Sequence, residues 1–128
     1  MARDEFFATC TIDPAILVTF KSGQILDTMT VEDMTAALVG LVDASQGRPL
    51  IFDFQKVTHV SSRALSMLLQ VERHATQRGQ RLVLCGVGPD LREVLAITRL
   101  LDVFDIQPDV RAAVAALQKA EKREPPRR

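Results

Sequence analysis

Lys56-Val57-Thr58-His59-Val60-Ser61-Ser62-Arg63-Ala64-Leu65-Ser66-Met67-Leu68-Leu69 is the stretch whose reading decides that of the whole chain. Just before it, Pro49-Leu50-Ile51-Phe52-Asp53-Phe54 is a short apolar run bounded by Gly47 and Lys56, which reads as a strand buried on both faces. Just after the two serines, Leu65, Leu68, Leu69 and Val71 recur at helical spacing, so a helix starts near Ser61 or Ser62. A serine suits that place because its hydroxyl accepts from a free amide of the first turn. The same end of a helix welcomes a phosphate, through those amides and the helix dipole. Two roles are therefore open for Ser62, a cap and a phosphoacceptor, and Ser61 beside it is a second candidate.

Working outward, residues 5–12 read as a first strand. Asp13-Pro14 makes a turn and Ala15 to Lys21 return as a second strand, with Ile16, Val18 and Phe20 on one face. Ser22-Gly23-Gln24 ends this hairpin. From Val31 the positions Met34, Ala37, Leu38, Leu41 and Val42 follow a helical period that Ala44-Ser45-Gln46-Gly47 closes. The serine helix runs to about Gln77, where Gly79 suits a left-handed cap. Arg81 to Cys85 form a fourth strand, and a helix over 90–99 turns Leu91, Val94, Leu95 and Thr98 inward. Asp102 to Ile106 form a short fifth strand. Pro108 and Asp109 start a last helix with Val110, Ala113, Val114 and Leu117 facing in. Strands that alternate with helices from residue 31 onward imply an α/β domain with a mixed sheet of about five strands and about four helices. One domain over 1–120 is expected, followed by a charged, proline-containing tail over 121–128 that is expected to be disordered.

Composition removes several function classes. Sixteen basic and 16 acidic side chains balance to zero net charge, no basic face stands out, and Trp and Tyr are absent, so nucleic-acid binding is not expected. The N-terminal residues turn acidic before any long apolar segment, and no apolar run reaches the length of a membrane span, so neither a signal peptide nor membrane insertion is expected. Cys10 and Cys85 each lie within a strand-like run, which reads as two buried, inert thiols in a reducing cytoplasm.

Other candidate chemistry is thin. Gly86-x-Gly88 lacks both the full glycine fingerprint and the lysine of a phosphate loop, and reads as a tight strand-to-helix turn. His59 and His74 have no partners at metal-ligand spacing. His59 before the serines offers a base for a hydroxyl, without a visible third group. Asp53 at a strand end reads as a loop cap, or as an ion-binding or catalytic carboxylate. Along the serine helix, Ser66, Gln70 and Arg73 follow Ser62 as an outward stripe, with Met67 at its edge, either as a contact residue or as core.

Val60-Ser61-Ser62-x-x-Leu65-x-x-Leu68-Leu69, then Gly79-x-Arg81-Leu82-Val83-Leu84-Cys85-Gly86 and Pro89-x-x-Arg92-Glu93-Val94-Leu95, together resemble a STAS domain, the family of anti-sigma factor antagonists and sulfate-transporter tails. The order of elements is similar over about residues 5 to 118. The resemblance implies a non-enzymatic cytoplasmic regulator, without cofactor or metal, that acts by partner switching. Its implied partners are an anti-sigma factor that is also a serine-protein kinase, and a phosphatase. Position in the motif makes Ser62 the phosphoacceptor, and its neighbours Ser61 and Arg63, with Ser66, Met67, Gln70 and Arg73 along the outward side of the helix, are the expected partner-binding surface. Arg63 and Ala64 stand where a small residue and glycine are usual, and Ser22 to Asp27 hold an extra residue relative to the family's stretch. Two rival classes stay open: a non-switching STAS subunit of a larger assembly such as a lipid transporter or signalling scaffold, and a nucleotide-binding or hydrolytic protein that uses His59 or Asp53.

Overall fold

Leu50–Asp53 and Leu82–Cys85 are buried at every residue, which requires cover on both faces of each strand. The computed structural model, which describes residues 7–21, 24–25, 28–57 and 59–123, supplies that cover. Its strands are β1 (Phe7–Ile12), β2 (Ala15–Phe20), β3 (Gln24–Ile25), β4 (Leu50–Asp53), β5 (His59–Val60), β6 (Leu82–Cys85) and β7 (Asp105–Gln107). Its helices are α1 (Thr28–Ala44), α2 (Ser62–Gln77), α3 (Pro89–Ile97) and α4 (Val110–Arg123). Five strands form one mixed sheet in the order β1-β2-β4-β6-β7, with β1 antiparallel to β2 and every other pair parallel.

Side chains alternate across β4 and β6, and so divide the interior in two. Leu50, Phe52, Leu82 and Leu84 join Val18 and Phe20 under α1, α2 and α3, with Met34, Leu38, Leu68, Val71, Leu91 and Leu95 from the helices. Ile51, Val83 and Cys85 face the other way, against Ala113 and Leu117 of α4. Phe20 anchors the larger core: it stacks on Phe54 at 5.0 Å and meets Phe7 and Phe52 edge-on at 6.0 and 5.5 Å. Such aromatic contacts add to area burial by about 1 kcal/mol each.

A second, two-stranded sheet pairs β3 with β5 in parallel, Gln24 with His59 and Ile25 with Val60. Sequence periodicity cannot reveal a strand of two residues, and the expected end of the hairpin at Ser22-Gly23-Gln24 falls partly outside the described residues. This pair ties the segment that enters α1 to the segment that enters α2, and brings the two helix starts together. The helices then run side by side in the same direction. His74 of α2 meets Asp43 of α1 at 2.9 Å and Arg63 meets Glu32 at 3.3 Å, each pair 31 residues apart in sequence. Arg78 Nε also donates to Asp43, and the His74 and Arg78 hydrogen bonds lower the pKa of the Asp43 carboxyl.

Other boundaries moved for local reasons. Helix α3 ends at Ile97, where Thr98 turns its hydroxyl back onto the Val94 carbonyl at 2.7 Å, and Arg99 takes a φ of 62°. Of the four residues expected to face inward there, Leu91 and Leu95 are buried, while Val94 and Thr98 are exposed. The turn over 101–103 delays the fifth strand to Asp105, with Phe104 buried ahead of it. The last helix runs through Glu121-Lys122-Arg123, past the expected boundary at 120, and residues 124–128 lie outside those described.

The two thiols part company. Cys85 lies in the core against α4, and its pKa is pushed up to about 12, chiefly by desolvation and then by the Asp53 and Asp109 charges. Cys10 is exposed, which corrects the expectation of burial. It sits on the edge strand, on the face that α4 covers over β4 and β6 but along β1 only at Ile12, which leaves Ala8 to Thr11 exposed. A thiol reagent is therefore expected to label Cys10 rapidly in the native protein and Cys85 only on unfolding, as read by mass after timed quenching; fast native labelling of Cys85 contradicts the second core.

The β6–α3 turn depends on Gly86. It has a φ of +66°, and a Cβ there would stand 2.8 Å from Asp53 Oδ1 and 3.0 Å from the Gln55 nitrogen. Those atoms form the hydrogen bond that shapes the chain after β4, with the Gln55 N–H donating to Asp53 Oδ1 at 3.0 Å. Gly86→Ala is expected to destabilise the fold by about 1–3 kcal/mol, measured by chemical denaturation; an unchanged midpoint contradicts this reading of the turn.

Candidate functional site

The site is built where β5 hands over to α2. Ser61 has extended geometry (φ −73°, ψ 166°), and its hydroxyl accepts from the Ala64 N–H at 3.1 Å. Its carbonyl accepts the first helical bond from Leu65 at 3.0 Å. Ser61 is thus the N-cap and half-buried, and Ser62 is the first helical residue and exposed. The sequence left the cap open between the two serines; the structure gives it to Ser61. This frees Ser62 from the capping role. Its backbone N–H, like that of Arg63, belongs to the first-turn donors that no helical carbonyl can satisfy. No acidic side chain stands in this first turn to offset the positive helix end.

Farther along, α2 divides cleanly. Ala64, Leu65, Met67, Leu68, Val71 and Ala75 are buried, while Ser66, Gln70 and Arg73 are exposed. The expected stripe therefore does run from Ser62 along the outer side, over about 16 Å at the rise of an α-helix. Met67 is not part of it. Only 2% of it is exposed, in the row Ala64–Met67–Val71–Ala75, whose steps of three and four place it at the middle of the inward face. The core role is the one it takes, and it leaves the partner-binding set.

Arg63 points across to α1, where its guanidinium reaches Glu32 Oε2 at 3.3 Å. Nothing in the sequence linked these two residues. Only the parallel alignment of α1 and α2 brings them together.

The rival chemistry finds less. Asp53, 8% exposed, is engaged by the Gln55 N–H and acts as the loop cap. His59 lies in β5, and its side chain falls outside the described residues, as does Thr58. Among the described residues no group of three or more His, Cys, Asp or Glu side chains is placed to hold a metal ion. A cavity of about 230 Å³ beside the site is lined by Val57, Val60, Gly88, Pro89, Asp90 and Leu91. Its charged side chain is a carboxylate, which repels phosphate, so this wall offers a nucleotide little. No helix among the described residues is long and apolar enough to cross a membrane.

Comparison with known proteins agrees with this fold. The STAS domain family model matches residues 8–113. "Putative anti-sigma factor antagonist BtrV" of Bordetella bronchiseptica is 30% identical over 96 residues, covering 75% of this chain and 82% of that protein. Among solved structures, an anti-sigma-factor antagonist (STAS) domain protein from Planctomyces limnophilus superposes with a TM-score of 0.76 at 17% identity, covering 88% of this chain and 97% of that one. The Bacillus cell fate determinant SpoIIAA in its phosphorylated form gives a TM-score of 0.65 at 18% identity, covering 87% of this chain and 98% of that one. A mixed sheet with its antiparallel hairpin, three helices on one face and one on the other, and a family match over most of its length make this chain a member of the STAS domain family.

Proposed function

We propose that this chain is a cytoplasmic protein-binding regulator of the anti-sigma factor antagonist kind, whose grip on its partner is released by phosphorylation of Ser62. The observation that carries the reading is the division of labour between the serines: Ser61 caps α2, and Ser62 stands exposed at the head of a polar stripe. A serine kinase can then transfer the γ-phosphoryl group of ATP to the Ser62 hydroxyl oxygen, with ADP leaving and the hydroxyl proton passing to the kinase, without removing the cap. A phosphatase restores the hydroxyl by hydrolysis. The phosphate adds nearly two negative charges at one end of the surface formed by Arg63, Ser66, Gln70 and Arg73. First-turn amides can hold it in place, so the switch works by repulsion and obstruction and needs no refolding. The partner kinase supplies the catalysis, and this chain is its substrate. The name of the Bordetella relative and the solved phosphorylated form of SpoIIAA support the reading.

The test needs the partner in hand, identified by affinity capture of the full chain and mass spectrometry, then purified. Ser62→Asp is expected to keep the melting temperature, since Asp suits a first helical turn, and to weaken partner binding by roughly tenfold or more. Ser62→Ala is expected to bind constitutively. Chain carrying phosphoserine at 62 gives the cleaner comparison, because a carboxylate holds less charge than a phosphate. Ser61→Ala separates the roles: it is expected to cost about 1 kcal/mol of stability through the lost cap. If phosphorylated chain binds the partner as tightly as unmodified chain, the switch is not at Ser62, and the chain acts as a non-switching subunit of a larger assembly.

A further inference from the structure

Arg63 is the residue at this site whose presence the cap, the stripe and the core leave unexplained. Its guanidinium lies on Glu32 at 3.3 Å in a single end-on contact, with 57% of the Arg63 side chain and 68% of the Glu32 side chain exposed. An exposed pair of that geometry holds weakly. Arg63 is also the immediate neighbour of Ser62, where a phosphate would bring nearly two negative charges and three acceptor oxygens. A guanidinium fork binds phosphate through paired hydrogen bonds, which the observed contact with Glu32 does not provide. The two anions would therefore compete for one cation, and the phosphate has the stronger claim. We propose that Arg63 is a shared cation, held by Glu32 of α1 in the unmodified chain and drawn onto a phosphate at Ser62, so that modification of α2 also uncovers a carboxylate on α1. The inference rests on the reading of Ser62 as the phosphoacceptor.

Its consequence is a switch surface spread over two helices. Before modification Arg63 lies on Glu32 and offsets part of its charge at the α1–α2 seam. Afterwards Arg63 lies over the phosphate, Glu32 is bare, and a partner that spans the seam meets new negative charge on both sides. The alignment that sets Asp43 beside His74 at the far end of the same two helices keeps Glu32 within reach of Arg63. Among the described residues, other charged groups on the elements at this end are Asp33 on α1, Lys56 after β4 and Asp90 at the start of α3, and the titratable His59 of β5 precedes the serines in sequence. They stay the same in each variant below, so differences between variants report on Arg63 and Glu32.

The experiment is a phosphorus NMR titration of full-length chain with phosphoserine encoded at position 62, which requires neither kinase nor partner. Arg63→Ala is expected to raise the second ionisation of the phosphate by about half a pH unit or more, and Arg63→Lys, which keeps the charge but loses the fork, to raise it less. Glu32→Gln is expected to lower it, because the competitor for Arg63 is gone. The Arg63 side-chain nitrogen signals are expected to move on phosphorylation, and to move less in Glu32→Gln. An ionisation that ignores Arg63→Ala overturns the proposal, and so does one that ignores Glu32→Gln. Partner binding that ignores phosphorylation, with the titration as expected, removes the switch and leaves the shared cation standing.

Discussion

Every residue of β4 and β6 is buried, and that constraint shapes the molecule. A strand with no polar face needs helices on both sides: the crossovers between successive parallel strands lay α1, α2 and α3 on one face, and α4, which follows the last strand, covers the other. Helix starts therefore gather at the carboxyl ends of the parallel strands, where α/β folds place their sites. Ser61 and Ser62 lie at that end because Leu50–Asp53 points there, and the β3–β5 pair fixes the approach to within a residue.

The start of α2 divides two positions that the sequence presents together. One serine is spent on structure, with its hydroxyl on the Ala64 amide, and the next is left on the surface with a helix end behind it. The inner face of α2 is committed to the core down to Met67, so whatever meets a partner is confined to a narrow polar stripe and the seam with α1. A rigid helix that presents a small charged surface favours a switch by added charge over one by rearrangement.

Much of this was legible from residues alone. The double-faced apolar runs at 50–53 and 82–85 and the helical recurrence of Leu65, Leu68 and Val71 made the α/β order and the outer stripe readable. What was not legible depended on geometry that a local pattern does not carry. Cys10 sits in an apolar run like Cys85, but edge position and the reach of α4 decide exposure, and neither is written in β1. Met67 belongs to a row completed by two alanines, which a search for large apolar residues passes over. The Arg63–Glu32 contact spans 31 residues and arises from the alignment of two helices.

The central claim, that Ser61 is structural and Ser62 is the modified residue, is tested most directly by phosphosite mapping on the chain purified from its own cells as wild type, Ser61→Ala and Ser62→Ala. The account predicts phosphate on Ser62 in the wild type and in Ser61→Ala, and none in this segment of Ser62→Ala. Phosphate on Ser61, or an unmodified segment in all three chains, would contradict it.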